Sequence, residues 1–449
     1  MSGFEKPVPV EALTGSLRDY RELQGPNLLR RVEGFFAWQD LRREHGLWPY
    51  SKSTESAPKT SCVARNDAGD EIVGVNFASQ DYLSLASHPE VKNAATAAIE
   101  EYGVHSAGSG ALLGNTRYSL ELERALSDFL GREHAVLYPT GWSAGFGAVQ
   151  GLVRPEDHVV MDVLTHSCLQ EGALAATRNI HFHGHLSVDG ARRKIRKIRE
   201  KDAKNGILVV TESLFSMHSD TPDLAALKKV CDEFDATLLV DVAHDFGCIG
   251  EEGLGHLGLQ RMLGRADVII GSFSKTFASN GGFVVCSRPV KEYLKYYSAT
   301  HTFSNALSPV QAAVVLKAIE IIRSPEGRQL RRELMGNILY LRKQLANAHL
   351  EVLGDPSAIV PVKVGAEGHA RMAAQRLAEL GGIANLVEYP AVPRGGARFR
   401  LQVMAKHRRQ DVDTLVKLLR TAVDETEVAF RPFRDVPLSG PAQLTAAAE

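Results

Sequence analysis

The segments TLLVDVAHD (237–245) and ADVIIGSFSKTFASNGG (266–282) contain the pattern that decides the fold. Each contains a short run of apolar, largely β-branched residues and continues into polar or small ones. Uninterrupted apolar runs of this length predict strands buried on both faces, as in a mainly parallel sheet covered by helices. Ligands of such sheets bind beyond the carboxyl ends of the strands. We therefore expect the functional residues where these runs end.

Runs of the same type recur on both sides of these segments. Helical patterns at 118–130 and 224–234 alternate with them, which predicts an α/β domain. The further runs are HAVLYP (134–139), HVVMDV (158–163), GILVVTES (206–213) and GGFVVCS (281–287).

The chain divides into four segments. We predict an N-terminal extension and arm over residues 1–72, with a helix near 27–43, followed by a large domain over 73–308. A helical stretch and a short βαβ-like pattern over 309–431 predict a smaller α+β domain. Residues 432–449, rich in Pro and Ala, predict a loose tail.

The composition excludes several classes of protein. Of 449 residues, 44% are hydrophobic and 23% charged, which is typical of globular chains, and a net charge of −1 gives no overall attraction to nucleic acid or anionic membranes. No apolar run predicts a membrane span, and the first residues lack the pattern of a signal peptide. Five scattered cysteines indicate reduced thiols, so we expect a cytoplasmic protein.

One lysine, Lys275, follows a strand and lies among Gly, Ser and Thr in GSFSKTFASNGG (271–282). A nucleophilic lysine needs a pocket that lowers its pKa and admits a carbonyl, and small neighbours leave that room. A solvated loop lysine explains this segment, taken alone, equally well.

Two other strand ends carry titratable residues. A carboxylate at Asp241 is buried on its strand side and needs a cationic partner. The protonated ring nitrogen of pyridoxal phosphate is such a partner, and the acid keeps that ring an electron sink. His244 would reach the phenolic oxygen or order the pocket, and His166 would stack on the ring or relay a proton. Taken alone, Asp241 could also cap a helix or bind a metal, and His166 could be a capping or core histidine.

The glycine-rich segment YPTGWSAGFGA (138–148) runs from a strand through a turn toward a helix. Backbone N–H groups at a helix N-terminus bind phosphate well, and Gly141 and Trp142 would supply them. The hydroxyls of Ser272 and Ser304 could add donors.

The order of these motifs is glycine turn, strand-end His, strand-end Asp and strand-end Lys. In this order the chain resembles the α-oxoamine synthases, a branch of the fold-type I pyridoxal-phosphate enzymes, over roughly residues 73–428. The resemblance is carried by NFASQDYLSLASHP, SAGSGALLGNTRYSLELERALSDFL, PTGW, THS, TESLFSMHSD, VDVAHDFGCIG, GSFSKTFASNGGF, FSNALSP and YPAVPRGGARFRLQVMAKH.

The resemblance implies a role for each of these residues. Lys275 matches the Schiff-base lysine, Asp241 the acid on the pyridine nitrogen, His244 its neighbour near the phenolic oxygen and His166 the histidine stacked on the ring. Further cofactor contacts are implied for Ser216, for Gly141, Trp142 and Ser272 at the phosphate, and for Ser304 from the other subunit of a homodimer whose active sites are shared.

The resemblance also implies the reaction. An amino acid or related amine would be condensed with an acyl thioester, carried on coenzyme A or a carrier protein, with loss of carbon dioxide to give an α-aminoketone. Lys275 would remove the α-proton, and His166 would orient the reacting carbonyl. The alternatives are another fold-type I reaction, such as transamination or aldol cleavage, and a non-catalytic partner subunit. Such subunits typically lack the lysine, which is present here.

One departure from the family concerns the amine substrate. The family usually reads R-P-P-x-x-P where its arginine holds the substrate carboxylate, whereas this chain reads VEYPAVP with Glu388 at that position. A carboxylate cannot bind another without a proton or a bridging cation. Arg398 or Arg400 could supply the cation, Glu388 could bind a basic substrate, or the donor could lack a carboxylate at that point. A misalignment that leaves Glu388 in solvent overlaps all three explanations.

Other departures are smaller. Gln80 stands where the family commonly has Asn near the substrate, which hints at a reshaped pocket. Val242 and Asp245 replace residues of the family's D-E-A-H-S pattern around His244.

A histidine-rich stretch lies outside the motifs. HFHGH (181–185) could place three histidines on one face of a strand as metal ligands. A surface strand is the simpler interpretation, because no Cys or carboxylate completes the set nearby.

A basic stretch also lies outside the motifs. The helix RRKIRKIREK (192–201) predicts a solvated face, and the alternative is a docking patch for an acidic carrier protein or an anionic coenzyme A tail.

Overall fold

The computed structural model describes residues 8–434, so that residues 435–449 of the predicted tail lie outside the described residues. The strands are β1 (Ser53–Thr54), β2 (Ser61–Arg65), β3 (Glu71–Asn76), β4 (His134–Tyr138), β5 (His158–Asp162), β6 (Ile180–His183), β7 (Ile207–Glu212), β8 (Thr237–Asp241), β9 (Val268–Ser272), β10 (Gly282–Cys286), β11 (Ile359–Gly365), β12 (Gly382–Ile383), β13 (Asn385–Val387) and β14 (Ala397–Gln402).

The helices alternate with these strands along much of the chain. They are α1 (Val10–Leu13), α2 (Glu33–Glu44), α3 (Pro89–Tyr102), α4 (Arg117–Leu130), α5 (Gly141–Leu152), α6 (Ser167–Ala176), α7 (Val188–Arg199), α8 (Leu224–Glu233), α9 (Gly255–Leu259), α10 (Arg288–Tyr297), α11 (Ala299–Thr302), α12 (Pro309–Arg323), α13 (Pro325–Asn347), α14 (Glu367–Glu379) and α15 (Arg409–Phe430), with 3-10 turns at Arg30–Val32 and Arg431–Phe433.

The described chain forms two compact units, whose limits differ from the domains predicted from the sequence. One unit is continuous and consists of residues 80–335. The other combines residues 8–79 with residues 336–434, so the predicted N-terminal extension and small domain belong to one unit. The second division falls inside α13 rather than near residue 308.

The unit of residues 80–335 contains a seven-stranded sheet in the order β4-β10-β9-β8-β7-β5-β6. Strands β6, β5, β7, β8 and β9 run parallel to one another, and β10 is antiparallel to both β9 and β4. The predicted mainly parallel sheet is therefore confirmed. Its residues are buried along β7 and β9, which explains their uninterrupted apolar runs.

Helix α5 fixes the glycine turn to this sheet. Thr140 caps the helix with a capping box to Ser143, at 3.0 Å from the Thr140 hydroxyl to the Ser143 amide. Beyond the cap, Ala144 and Ala148 are fully buried in the core that also contains Ile270 of β9. Small residues on α5 thus let the helix pack closely on the sheet and hold its N-terminus at the strand ends.

The unit of residues 8–79 and 336–434 has two sheets, a four-stranded one in the order β1-β2-β3-β12 and a three-stranded one in the order β11-β14-β13. In the stretch predicted as a helix near 27–43, the Asn27 side chain accepts the amides of Leu29 and Arg30, a 3-10 turn follows at Arg30–Val32, and the α-helix itself begins at Glu33. Trp38 on α2 is fully buried.

All five cysteines are buried free thiols. Among residues 8–434, no helix combines the length and the apolar character needed to cross a membrane.

Candidate active site

A cavity of about 260 Å³ lies in the unit of residues 80–335, where β7, β8 and β9 end. Seven of the residues predicted from the sequence line it, namely Gly141, Trp142, His166, Asp241, His244, Ser272 and Lys275. Residues from four separate segments therefore meet at one edge of the sheet. The other lining residues are Thr140, Cys168, Glu212, Ala243, Ile270, Gly271, Ser274, Asn280 and Gly281.

Lys275 lies in the loop that connects β9 to β10, and its side chain is partly buried. The loop is closed at its base by Phe273, whose amide donates to the Gly281 carbonyl at 2.9 Å. Beside the lysine, the hydroxyls of Ser272 and Ser274 are 2.7 Å apart. The lysine therefore projects from a short, internally bonded loop, which limits its positions more than a solvated loop would.

Two buried carboxylates lie side by side in the cavity wall. Glu212 and Asp241 are direct partners in the β7–β8 ladder, and both are nearly inaccessible to solvent. Asp241 accepts the Ala243 amide at 2.9 Å, and Glu212 accepts the His166 amide at 2.7 Å.

Burial raises the pKa of Glu212 well above its usual range, and the neighbouring Asp241 charge raises it further. Burial likewise raises the pKa of Asp241, against the lowering effect of His166 and Lys275. A cation placed against Asp241 would favour its charged form.

His166 is the N-cap of α6, and its ring accepts the Cys168 amide through Nδ1 at 3.3 Å. The same nitrogen lies 3.0 Å from the Cys168 thiol. Together with the bond from its amide to Glu212, these contacts fix both the backbone and the ring. His244 is buried, with its Nδ1 3.1 Å from the Tyr82 hydroxyl.

The glycine turn and the lysine loop approach each other closely. A Cβ atom on Gly141 would lie 2.3 Å from the Ser272 hydroxyl oxygen, so only glycine fits. The first amides of α5 and the hydroxyls of Ser272 and Ser274 therefore meet at one end of the cavity. This set of donors, at the N-terminus of a 12-residue helix, suits a phosphate group.

The donor set as a whole fits pyridoxal phosphate. Lys275 supplies an amine for the aldehyde, Asp241 a carboxylate for the ring nitrogen, His166 an imidazole for the ring face, and Gly141 with Ser272 a phosphate site. All of these groups line the same cavity.

Three predicted residues of this unit do not line the cavity. Ser216 is buried in the segment after β7, Ser304 is partly buried beside the exposed Phe303, and Gln80 is partly buried at the start of the unit. Their predicted roles remain proposals.

The sequence interpretation missed several lining residues. Glu212 ends the run GILVVTES just as Asp241 ends TLLVD, so the same strand-end rule would have found it. Thr140 carries a capping-box pattern, and Ser274 lies one residue before Lys275. Cys168 and Asn280 give no comparable pattern.

Glu388 lies in the other unit and is buried, at 2% exposure. The interpretation that it points to solvent is therefore wrong. Arg371 donates to its Oε2 at 2.7 Å, Tyr50 donates to its Oε1 at 3.0 Å, and Arg42 Nη2 lies 3.5 Å from Oε1. Arg371 also donates to the backbone carbonyls of residues 13–15.

Arg398 and Arg400 lie on β14 of the same unit as Glu388. Arg398 is buried and donates from Nε to the Gly396 carbonyl at 2.9 Å, and Arg400 is partly buried opposite Pro361.

Asp245, a departure from the family pattern, is buried and engaged on both oxygens. It accepts the Ser213 hydroxyl at 2.6 Å and the His256 amide at 2.7 Å, and His256 Nδ1 lies 2.8 Å away. Asp245 therefore ties the segments after β7 and β8 together, since Ser213 also donates to the Asp241 carbonyl.

The histidines of HFHGH separate rather than converge. His181 contacts His158 at 3.1 Å, His183 contacts the Gly184 carbonyl, and His185 lies 3.0 Å from both Asp162 and Asp220. Among residues 8–434, no group of three or more His, Cys, Asp or Glu side chains is arranged to hold a metal ion.

The large α/β unit has a lysine, a strand-end acid and a phosphate cradle at one edge of its sheet. This arrangement defines a fold-type I pyridoxal-phosphate enzyme. Comparison with known proteins identifies the family to which the chain belongs. The model of the family aminotransferase class I and II matches residues 72–419.

Three relatives indicate the branch. The chain is 31% identical over 429 residues to 4-hydroxy-2,2'-bipyrrole-5-methanol synthase PigH of Serratia sp. (strain ATCC 39006), covering 94% of this chain and 64% of that protein. It is 33% identical over 348 residues to 8-amino-7-oxononanoate synthase of Pectobacterium atrosepticum (78% of this chain, 88% of that protein). It is 31% identical over 402 residues to serine palmitoyltransferase of Sphingobacterium spiritivorum (89% and 98%).

Solved structures agree with the sequences. Sphingomonas wittichii serine palmitoyltransferase superposes with a TM-score of 0.83 at 26% identity, covering 90% of this chain and 99% of that one. A high-resolution structure of SPT with PLP internal aldimine gives the same TM-score and identity, with 90% and 100% covered. The chain belongs to the aminotransferase class I and II family and, within it, to the α-oxoamine synthases, and its cofactor is pyridoxal 5'-phosphate.

Proposed function

We propose that this enzyme condenses an amino acid, or a related amine, with an acyl thioester and releases carbon dioxide to give an α-aminoketone. The observation that carries the proposal is the single cavity in which Lys275 meets Asp241 and His166. The names of the relatives include a palmitoyltransferase acting on serine, which is an acyl transfer of this type.

Pyridoxal phosphate, when bound, withdraws electrons from the carbon next to the substrate nitrogen. Around it we assign roles to the chain's own residues. Asp241 would keep the ring nitrogen protonated, and Lys275 would take the α-proton on Nζ. His166 would lie against the ring and donate to the oxygen of the reacting carbonyl. His244, fixed by Tyr82, would contact the phenolic oxygen.

The family usually holds the carboxylate of the amine substrate with an arginine, and this chain has Glu388 at that position. Glu388 already has two arginines and a tyrosine on its carboxylate, so a basic substrate would have to displace a buried ion pair. This favours the remaining explanations, a cation from Arg398 or Arg400 or a donor without a carboxylate at that point. We keep Gln80, Glu388 and Arg400 as candidate residues for substrate selection.

We also infer a homodimer in which Ser304 of each subunit completes the phosphate site of the other. Ser304 does not line the cavity of its own chain, and it adjoins strongly exposed apolar residues. Patches of this kind mark protein interfaces. Three such residues lie on two segments joined by a bridge from Ser109 to Asn305, namely Leu112, Leu113 and Phe303, at 85%, 89% and 87% exposure.

The dimer is tested by light scattering on the holoenzyme and on Leu113→Asp, with Leu120→Asp as an exposed apolar control elsewhere on the unit. We expect a wild-type dimer, a Leu113→Asp monomer with weakened cofactor binding, and no change for Leu120→Asp. A fully active wild-type monomer would exclude the shared site.

We infer a cytoplasmic enzyme, since five buried free thiols suit a reducing compartment. The acyl group would arrive on coenzyme A or on a carrier protein.

The reaction is tested by mixing holoenzyme, a candidate amine and an acyl thioester while thiol release and carbon dioxide are measured together. Equal amounts of both are expected for a competent pair. Amine exchange or retro-aldol products without thiol release, across a panel of donors, would instead support transamination or aldol cleavage. Lys275→Ala should lose the absorbance of the cofactor–lysine linkage, and an unchanged band would contradict the assignment of Lys275.

A further inference from the structure

A cysteine in the wall of the cofactor cavity, Cys168, has no role in the proposed reaction. It lies in the first turn of α6, two residues after His166, whose side chain caps that helix. Cys168 lines the same cavity as Lys275 and is buried, at 2% exposure. Its side chain contacts His166 directly, so any effect of Cys168 on the reaction would act through that histidine.

Two groups of Cys168 meet His166 at one ring nitrogen. The Cys168 amide nitrogen lies 3.3 Å from His166 Nδ1, and the Cys168 sulfur lies 3.0 Å from the same atom. A backbone N–H can only donate, so Nδ1 must accept and cannot carry a proton. The proton of a neutral imidazole is then on the other ring nitrogen, Nε2.

The thiol also acts as a donor in this contact. Because Nδ1 presents a lone pair, the hydrogen between the two atoms must come from the sulfur. Burial raises the pKa of the Cys168 thiol, and the nearby carboxylates of Asp241 and Glu212 raise it further. Cys168 therefore keeps its S–H at neutral pH and can donate it to His166.

Packing confines both partners of this hydrogen bond. A Cβ atom on Gly145 of α5 would lie 2.5 Å from the Cys168 sulfur, so the sulfur fits only because residue 145 is glycine. The backbone of His166 is fixed separately, since its amide donates to Glu212 at 2.7 Å. The thiol and the ring thus have little room to separate.

We propose that Cys168 is a positioning residue that keeps His166 neutral, with its ring proton on Nε2. This tautomer makes Nε2 the nitrogen that donates to the oxygen of the reacting carbonyl, so the inference rests on the proposed function. The N-terminus of α6 acts in the same direction, because the positive end of a helix dipole opposes a second proton on the ring.

Neutron diffraction from deuterium-exchanged crystals of the holoenzyme tests the tautomer directly. We expect deuterium on His166 Nε2, none on Nδ1, and the Cys168 S–D bond directed at Nδ1. Deuterium on Nδ1 would overturn the tautomer, and an S–D bond directed elsewhere would overturn the role of the thiol. The measurement needs no substrate, so it decides the inference even if the enzyme transfers no acyl group.

Variants separate the hydrogen bond of the thiol from its packing. Cys168→Ala should lower kcat about three- to tenfold, as expected for one lost uncharged hydrogen bond. The KM of the amine should change by less than about twofold, because the reacting oxygen gains its charge only in the transition state. Cys168→Ser keeps a donor and should stay within about twofold of the wild-type kcat.

Cys286→Ala is the matched control, since it removes a buried sulfur from the same core but leaves the contact with His166 intact. We expect it to leave kcat unchanged. A loss in Cys286→Ala or in Cys168→Ser as large as that in Cys168→Ala would show that packing alone matters, and would overturn the proposal. Unchanged cofactor absorbance in every variant verifies that the cavity is assembled.

The pH profile of kcat/KM gives a further readout. Donors at Nδ1 oppose a second ring proton, so Cys168→Ala should move the acid limb to higher pH by up to about one unit. Cys168→Ser should leave the limb in place. The other titratable groups that line the cavity are Glu212, Asp241, His244 and Lys275. A limb that moves equally in both variants would belong to one of those groups, and the thiol would not control the charge of His166.

Discussion

Buried carboxylates occur in both units, but they are neutralised in different ways. Glu388 is surrounded by Arg371, Arg42 and Tyr50, which satisfy it within the protein. Asp241 and Glu212 instead face each other in a cavity wall, and burial raises the pKa of both. The first arrangement stabilises a fold, whereas the second leaves a charge for a ligand to neutralise. The burial of a carboxylate therefore indicates its role only when the groups that contact it are also known.

The largest expected effect is on catalysis by Asp241→Asn. Without its charge the ring nitrogen loses its proton, so we expect kcat to fall by about 10²–10⁴-fold. Thermal unfolding of the cofactor-free protein should change little, because the asparagine carbonyl can still accept the Ala243 amide that Asp241 accepts. Activity within tenfold of the wild type would show that Asp241 is structural, like Glu388.

Glu388→Leu tests whether the paired carboxylate of Glu388 stabilises the fold. It leaves two buried guanidinium groups without a counter-charge, so we expect a loss of about 3–5 kcal/mol in the free energy of unfolding. Urea unfolding followed by tryptophan fluorescence measures it, since Trp38 and Trp48 lie in the same unit. Glu351→Leu, which breaks an exposed pair with Lys363 in that unit, should cost less than about 1 kcal/mol. Similar losses for both variants would contradict the stabilising role of Glu388.

A buried neutral group, His407, makes the same unit sensitive to acid. Its Nδ1 accepts the Met404 amide and its Nε2–H donates to the Asn76 carbonyl, both at 2.9 Å, so protonation would break a bond. Burial lowers the pKa of His407 to about 4. The unfolded chain takes up this proton near pH 6.5 and the folded chain only near pH 4, so stability falls as the pH drops between these values.

The loss should approach roughly 3 kcal/mol. Urea unfolding at pH 7.5 and pH 4.5 measures it, and His407→Gln should be less stable at pH 7.5 but should lose less on acidification. An equal loss in wild type and variant would assign the acid sensitivity to other groups.

The smallest expected effect is that of Glu212→Gln. If Glu212 is protonated in the working enzyme, its amide analogue still accepts the His166 amide, and activity should stay within about tenfold of the wild type. Glu212→Ala removes the acceptor and should lower activity further, by an amount worth about 1–3 kcal/mol. A Gln variant as inactive as the Ala variant would mean that Glu212 acts as an anion. Its role would then resemble that of Asp241.

Local sequence pattern was sufficient to predict the parallel sheet and seven residues of the cavity. Residues such as Asp241 and Ser272 end apolar strands, and all parallel strands present that end to the same edge. Glu212, at the end of β7, obeys the same rule.

The surroundings of Glu388 could not be predicted in this way. Its partners Arg42 and Tyr50 lie more than 300 residues away in the chain, and no periodicity links them to it. Long-range pairing of the same kind joins residues 8–79 to residues 336–434. Local pattern does not predict this joining, since residues 8–79 carry little apolar pattern of their own. Their burial depends on β12 and α14, which come late in the sequence.

The joining of residues 8–79 with residues 336–434 has a consequence for biosynthesis. Domains generally fold as units while the ribosome extends the chain. The segment 80–335 has all of its partners once α13 has emerged, whereas the first seventy-odd residues must wait for α14 and α15. The cofactor cavity can therefore form on the nascent chain before residues 8–79, which are synthesised ahead of it, have a place to fold.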